Sequence, residues 1–155
     1  MRILVVSDSH GDSYAVRQAV TEQPTAEMMF FLGDGEYDLK FLNNTLSRFY
    51  VHKVKGNCDI YSSLPANVID EVNGKRIYAT HGYAERVKYG TELLKQCAAD
   101  NDVSLVLFGH THVPVTVYED GVWYVNPGSV RDGKYAVVDI TDNGGIMPIL
   151  MNLRY

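Results

Sequence analysis

Imidazole and carboxylate are the side chains that hold divalent transition metals, and this chain offers them in five short motifs. They are Asp8-Ser9-His10, Gly33-Asp34, Gly56-Asn57-Cys58-Asp59, His81-Gly82 and Gly109-His110-Thr111-His112. Three of the motifs follow buried-type apolar runs, Ile3-Leu4-Val5-Val6, Met28-Met29-Phe30-Phe31-Leu32 and Leu105-Val106-Leu107-Phe108. Residues at the carboxyl ends of strands in an open α/β sheet converge on one crevice. The chain is therefore expected to gather two Asp, one Asn and four His at one spot. That exceeds the need of one tetrahedral zinc and suits two adjacent metals.

Taken singly, each motif has a plainer explanation. Asp8 and His10 lie two apart, which on an extended segment would point them the same way, but an Asp N-cap beside a surface His would look alike. Gly33-Asp34-Gly35 is ordinary turn chemistry, although a carboxylate with two oxygens is also the natural bridge between two ions. Gly56-Asn57-Cys58-Asp59 could be a plain turn; its functional reading gives the Asn57 amide oxygen to a metal and sets Asp59 to orient the ligands. A lone histidine such as His81 is usually a satisfied core residue, here preceding Gly82, where substrate could approach the backbone. Gly109-His110-Thr111-His112 is the most specific piece.

Other residues attract the plainer reading. His52 sits inside an expected strand beside no carboxylate and reads as structural. Cys97 lies on an apolar helical face and reads as packing. Asn126-Pro127-Gly128-Ser129 is a turn that could line the site. The eleven tyrosines are scattered and read as core or surface, not as a base-stacking platform.

The elements that must position the motifs alternate in the first half of the chain. Strands are expected over 2–7, 27–32 and 50–54, and helices over 13–21 (capped by Asp12 or Ser13) and 38–47. Asn73-Gly74 marks a hairpin between 68–72 and 76–80. A helix over 91–99 and a strand over 103–108 follow. Two further hairpins turn at Asp120-Gly121 and Asn143-Gly144-Gly145. This pattern predicts an α/β protein with two sheets or one mixed sheet.

The length of 155 residues fits a single domain over 1–155 with one continuous core. No apolar run approaches the ~18 residues of a spanning helix, and the short apolar N-terminus does not read as a signal peptide. Two cysteines give no disulfide framework, so a cytoplasmic location is the default. The net charge of −5 and the absence of basic blocks argue against broad nucleic-acid or membrane binding. Two divalent ions among Asp8 and Asp34 would still leave a locally positive centre able to draw in a phosphate.

In order and content the motifs resemble the calcineurin-like metallophosphoesterase superfamily, whose pattern is D-x-H, G-D, G-N-H-D or G-N-H-E, a lone H, and G-H-x-H. The length and the Asn126-Pro127-Gly128-Ser129 tail resemble its small bacterial and archaeal phosphodiesterase branch. The resemblance implies a four-layer αββα sandwich of two mixed sheets flanked by helices. It also implies one metal on Asp8, His10, Asp34 and His112, and a second on Asp34, Asn57, His81 and His110. The activity implied is hydrolysis of a small-molecule phosphoester, most naturally a diester, by a metal-bridging hydroxide. Mixed Asp, Asn and His ligation suits Mn²⁺ best, with Fe, Zn²⁺ or Ni²⁺ as alternatives. Cys58 replaces the family histidine beside Asp59; the same change occurs in the small branch, and it leaves protonation of the leaving group without an obvious owner, Cys58 and Asp59 being the candidates. The rival function is a protein-interaction scaffold, the role of the retromer subunit of this fold, in which the metal site is impaired.

Overall fold

The computed structural model describes residues 1–154. Its first strand, β1 (Arg2–Val6), is apolar at every interior position, and Ile3, Leu4, Val5 and Val6 are all fully buried. Burial on both faces is what a central strand of a sheet covered on both sides requires. β1 lies between the parallel β2 (Met28–Phe31) and the antiparallel β9 (Lys134–Ile140). The parallel β3 (Tyr50–Lys53) and the antiparallel β10 (Ile146–Asn152) complete a five-stranded sheet in the order β10-β9-β1-β2-β3. A second five-stranded sheet runs β4 (Asn67–Val72), β5 (Lys75–Thr80), β6 (Leu105–Leu107), β8 (Val122–Asn126), β7 (Val115–Glu119).

Alternation along the strands divides the interior into three apolar layers. Leu4, Val6, Met29, Phe31 and Val137 face α1 (Ser13–Glu22), which contributes Ala15, Val16, Ala19 and Val20. Ile3, Val5 and Phe30 face the other sheet and meet Ile77, Ala79, Leu105, Leu107 and Val125. Tyr78, Val106 and Tyr124, on the far side of the second sheet, pack under Leu94 and Ala98 of α4 (Glu92–Asp100). Each such side chain withdrawn from water contributes roughly 1.5–3 kcal/mol. The result is helix, sheet, sheet, helix, the four layers that the resemblance implies.

Two details depart from the expected elements. The helix expected over 38–47 is three short pieces, α2 (Glu36–Leu39), a 3₁₀ turn (Lys40–Leu42) and α3 (Asn43–Leu46). Leu39, Leu42 and Leu46 still reach the core, but Asn43, Asn44 and Thr45 are poor helix formers. The Asp38 side chain is also committed elsewhere, accepting from Ser9 Oγ at 2.5 Å and Gly11 N at 2.9 Å. His52, for its part, does have a carboxylate: its Nε2 lies 2.7 Å from Asp70 Oδ2, which β4 brings across from the other sheet. Its ring also stacks on Phe30, so it ties together the β3 and β4 edges of the sandwich and keeps the structural role expected of it. The Asn73-Gly74 and Asp120-Gly121 hairpins form as expected, with positive φ at both residues of each turn. Among the described residues no helix is long and apolar enough to cross a membrane.

Candidate metal centre

The parallel strands β1, β2 and β3 of one sheet, and β5 and β6 of the other, end at one rim, and every motif leaves from there. The loops lock onto each other through the backbone. Asp8 N donates to Gly33 O at 3.0 Å, His10 N to Asp34 O at 3.0 Å, and Gly109 N to His81 O at 2.9 Å. Side chains far apart in sequence are thereby brought together.

Two groups of donors result. In the first, His10 Nε2 and His112 Nε2 face each other at 3.2 Å, and Asp8 Oδ1 lies 3.1 Å from His112 Nε2 and 3.5 Å from His10 Nε2. Asp34, His81 and His110 form the second group, with the Asn57 Oδ1 amide oxygen 3.0 Å from His81 Nε2. A single atom, Asp34 Oδ2, lies between the two, 3.9 Å from His10 Nε2 and 3.4 Å from His81 Nε2. All seven candidate ligands thus converge at this rim. Cys58 is a third neighbour of His10 and Asp34, a proximity its position in the motif does not reveal.

Buried partners aim these side chains. His81 Nδ1 meets the Leu32 carbonyl at 2.7 Å; a carbonyl only accepts, so Nδ1 carries a proton and Nε2 is the nitrogen that faces the centre. Ser7 Oγ donates to Asp8 Oδ2 at 2.5 Å, and His110 N donates to the same oxygen at 3.2 Å. Cys58 N donates to Asp34 Oδ1 at 2.7 Å, leaving Oδ2 directed inward. Asp59 Oδ2 accepts from Asp34 N and Gly56 N, both at 2.8 Å, and Asp59 Oδ1 accepts from Gly35 N and Glu36 N, both at 3.0 Å. With four backbone donors on one carboxylate, Asp59 holds the Asp34 turn and carries no free oxygen toward the donors.

The turn after β8 also braces the centre. Asn126 Nδ2 donates to Gly109 O at 2.9 Å and Thr111 Oγ1 at 3.0 Å, and Ser129 Oγ donates to Asp8 O at 2.8 Å. Ser7, Asp38, Asn126 and Ser129 are thus positioning residues. Ser7 and Asp38 are identified by nothing in the sequence, and the Asn126-Pro127-Gly128-Ser129 turn supports the site from beneath.

The backbone is constrained at the same places. Of the nine non-glycine residues with positive φ among those described, five are candidate ligands: Asp8, His10, Asp34, His110 and His112. That region costs an L-residue roughly 1–2 kcal/mol, and such strain clusters where function demands a particular side-chain direction. Gly56 crosses so close to Asp34 that a Cβ there would overlap its carboxylate.

Electrostatics follow from the same contacts. Burial opposes the Asp34 charge, but the His81 bond and charge and the Cys58 N–H outweigh it, holding Asp34 well below the usual carboxylate range. Burial likewise lowers His81, but Asp34 and Asp8 overcome it and leave it above the ordinary imidazole value. His110 is lowered by burial and by the charges of His81 and Lys88. Desolvation of the sulfur and the Asp34 carboxylate push the Cys58 thiol up, so it is uncharged at neutral pH.

Two carboxylates, one amide oxygen and four imidazoles meet at one rim, a donor set that suits divalent metal. Residues 1–143 match the calcineurin-like phosphoesterase superfamily domain, and the chain belongs to that family. Phosphodiesterase YfcE of Escherichia coli is 27% identical, over 98% of this chain and 93% of its own. A predicted phosphoesterase structure from Streptococcus pneumoniae superimposes with a TM-score of 0.77 at 26% identity, covering 97% of each chain. Vps29 of Entamoeba histolytica in complex with zinc shares the fold, with a TM-score of 0.75 at 21% identity, covering 99% of this chain and 100% of that one.

Proposed function

We propose that this chain is a binuclear metal-dependent phosphodiesterase. The observation that carries the reading is the position of Asp34 Oδ2, within 3.9 Å of His10 Nε2 and 3.4 Å of His81 Nε2. Asp8, His10, Asp34 and His112 would hold one ion, and Asp34, Asn57, His81 and His110 the other. Mn²⁺ suits this donor set best. When bound, such ions supply positive charge to the phosphoryl oxygens and lower the pKa of water.

The chain's own groups do the rest. Asp8 and Asp34, both buried, would offset the cationic charge, and the Leu32 and Ser7 contacts fix the directions of His81 and Asp8. In hydrolysis the water oxygen bonds to phosphorus, the bond to one ester oxygen breaks, and the proton ends on the departing oxygen. Cys58 offers only a neutral, weakly acidic thiol for that last transfer. Leaving groups that depart unaided, such as aryl alcohols of diesters, are therefore favoured over alkyl monoesters.

Elemental analysis of the purified protein, with turnover of bis(p-nitrophenyl) phosphate in added Mn²⁺, tests the reading. Multiple turnovers that a chelator stops reversibly are expected. Asp34→Ala should lose turnover and metal content together, since one carboxylate serves both groups. An Asp34→Ala protein with normal rate and two bound metals rules out the shared carboxylate. Fully metallated wild type with no turnover on any diester or monoester favours the scaffold reading, which the fold shared with Vps29 of Entamoeba histolytica keeps in view.

A further inference from the structure

Beside the second donor group lies a cleft of about 610 Å³, lined by Asn57, His110 and the loop that follows His81. The loop's sequence, Tyr83-Ala84-Glu85-Arg86-Val87-Lys88-Tyr89, sorts its side chains by direction. Glu85 turns inward, where its oxygens accept from Tyr78 OH at 2.9 Å and Thr80 Oγ1 at 3.1 Å, and Val87 packs into the apolar layer under α4. Tyr83, Arg86, Lys88 and Tyr89 are left on the cleft wall. The loop's only acid is thus withdrawn from the cleft and both its cations remain.

Three observations specify an occupant. Among the described residues neither Arg86 nor Lys88 has a carboxylate within ion-pair distance, in a chain of net charge −5. Two unpaired cations beside a candidate phosphoryl site select a ligand with more negative charge than one diester carries. Tyr83 and Tyr89 are 61% and 88% exposed. Aromatic rings open to solvent at a cleft are platforms on which a flat ring can stack. Tyr83 lies edge-on to the His110 ring, centroids 5.4 Å apart, so a ring held there sits next to the donors. The volume is that of a small-molecule site, and the sequence holds no block of Lys or Arg of the kind a long strand would need.

We propose that this cleft binds the non-reacting arm of the substrate, and that the substrate is a nucleotide-type phosphodiester bearing an aromatic base and a further phosphate. The inference rests on the phosphodiesterase reading for the reacting phosphorus and adds the arm that the loop recognises. Arg86 and Lys88 meet the additional phosphate, and Tyr89 with Tyr83 meets the base.

The test uses the Mn²⁺-loaded full chain and three diesters. They are bis(p-nitrophenyl) phosphate, the p-nitrophenyl ester of thymidine 5′-phosphate, and the same ester carrying a 3′-phosphate. Wild type should prefer the 3′-phosphorylated ester over its parent by about tenfold in kcat/KM, the worth of a charge-assisted contact or two. Arg86→Gln with Lys88→Gln should bring that ratio close to one. Tyr89→Ala should lower both thymidine esters relative to bis(p-nitrophenyl) phosphate. Calorimetric titration of thymidine 3′,5′-bisphosphate gives a readout apart from turnover, and its Kd should weaken about tenfold in the double variant. Ratios and Kd unmoved by these substitutions overturn the inference while leaving hydrolysis intact. Absence of turnover on all three esters instead overturns the phosphodiesterase reading, and the bisphosphate Kd still decides the cleft.

Discussion

Asp59 holds Asp34 by its backbone, accepting the Asp34 N–H at 2.8 Å while the neighbouring Cys58 N–H donates to Asp34 Oδ1 at 2.7 Å. The turn carrying Asp34 and the turn carrying Asn57 are therefore one clamped unit, and Asp59 is the clamp. In Asp59→Asn an NH₂ replaces one acceptor oxygen, and two of the four backbone donors lose their partner. Each unsatisfied donor costs about 1–3 kcal/mol, and a disturbed supporting partner typically weakens metal affinity by about 10–100-fold. Urea unfolding and Mn²⁺ titration of Asp59→Asn should show both losses. A variant matching wild type in both would mean the clamp has no influence.

Cys58 stands at the position the family usually gives to histidine, close to His10 and Asp34. Its thiol is uncharged at neutral pH and is not the attacking group in the proposed chemistry. Cys58→Ser should keep aryl diester turnover within about threefold of wild type. Cys58→His should raise alkyl monoester activity relative to diester activity, because an imidazole can deliver a proton that the thiol does not. The deciding measurement is kcat/KM on matched aryl and alkyl esters. A loss of about 10³-fold in Cys58→Ser, with metal content unchanged, would make the thiol catalytic.

The pairing of Arg2 with Asp139 predicts a pH-dependent part of stability. Arg2 Nε and Nη2 each donate to one Asp139 oxygen at 2.8 Å, joining β1 to β9, and this bond holds the Asp139 carboxyl below its usual range. A lowered carboxyl pKa contributes stability that is complete above the unfolded value of about 3.9 and disappears as pH falls through the folded value. Arg2 is more than one-third exposed, so solvent limits the contribution to below about 1 kcal/mol. Asp139→Asn should be less stable than wild type by that amount at neutral pH, and the difference should close as the pH falls below the ordinary carboxylate range. A gap that is constant with pH would refer the effect to packing.

His112 has a φ of +61°, which inverts the usual ranking of small replacements. In most settings Ala is the more stabilising residue, because Gly loses more backbone freedom on folding. At His112 the left-handed backbone penalises any Cβ, so in metal-free protein His112→Gly should exceed His112→Ala in stability by about 1 kcal/mol. Thermal unfolding of the two variants gives the comparison.

The sequence carries a definite part of this picture. Ile3 to Val6 and Leu105 to Phe108 declare buried strands by unbroken apolar character, and Asn73-Gly74 declares its hairpin by turn chemistry. The motif residues are readable because each ends a strand on the same rim. What local pattern does not carry are contacts between distant residues. Ser7 and Ser129 look like any serines until the fold brings them to Asp8, and Asp38 looks like a helix-surface acid until Ser9 and Gly11 claim it. The same applies to His52, whose partner Asp70 belongs to the other sheet, and to the cleft loop, where the inward turn of Glu85 exists only once Tyr78 and Thr80 are in place.

The left-handed backbone at Asp8, His10, Asp34, His110 and His112 has a further consequence, an evolutionary one. Natural proteins sit just above a stability threshold, and mutations that relieve local strain are accepted wherever selection for activity is relaxed. In a lineage that no longer needs the chemistry, exchanging His10, His110 or His112 for glycine relaxes the backbone while the apolar layers that define the fold stay untouched, whereas losing Asp8 or Asp34 would strand the buried donors they accept from. Loss of these histidines is therefore downhill in stability on this architecture, and their return is uphill. Descendants that keep the sandwich and lose its ligands are the expected drift product of such a fold.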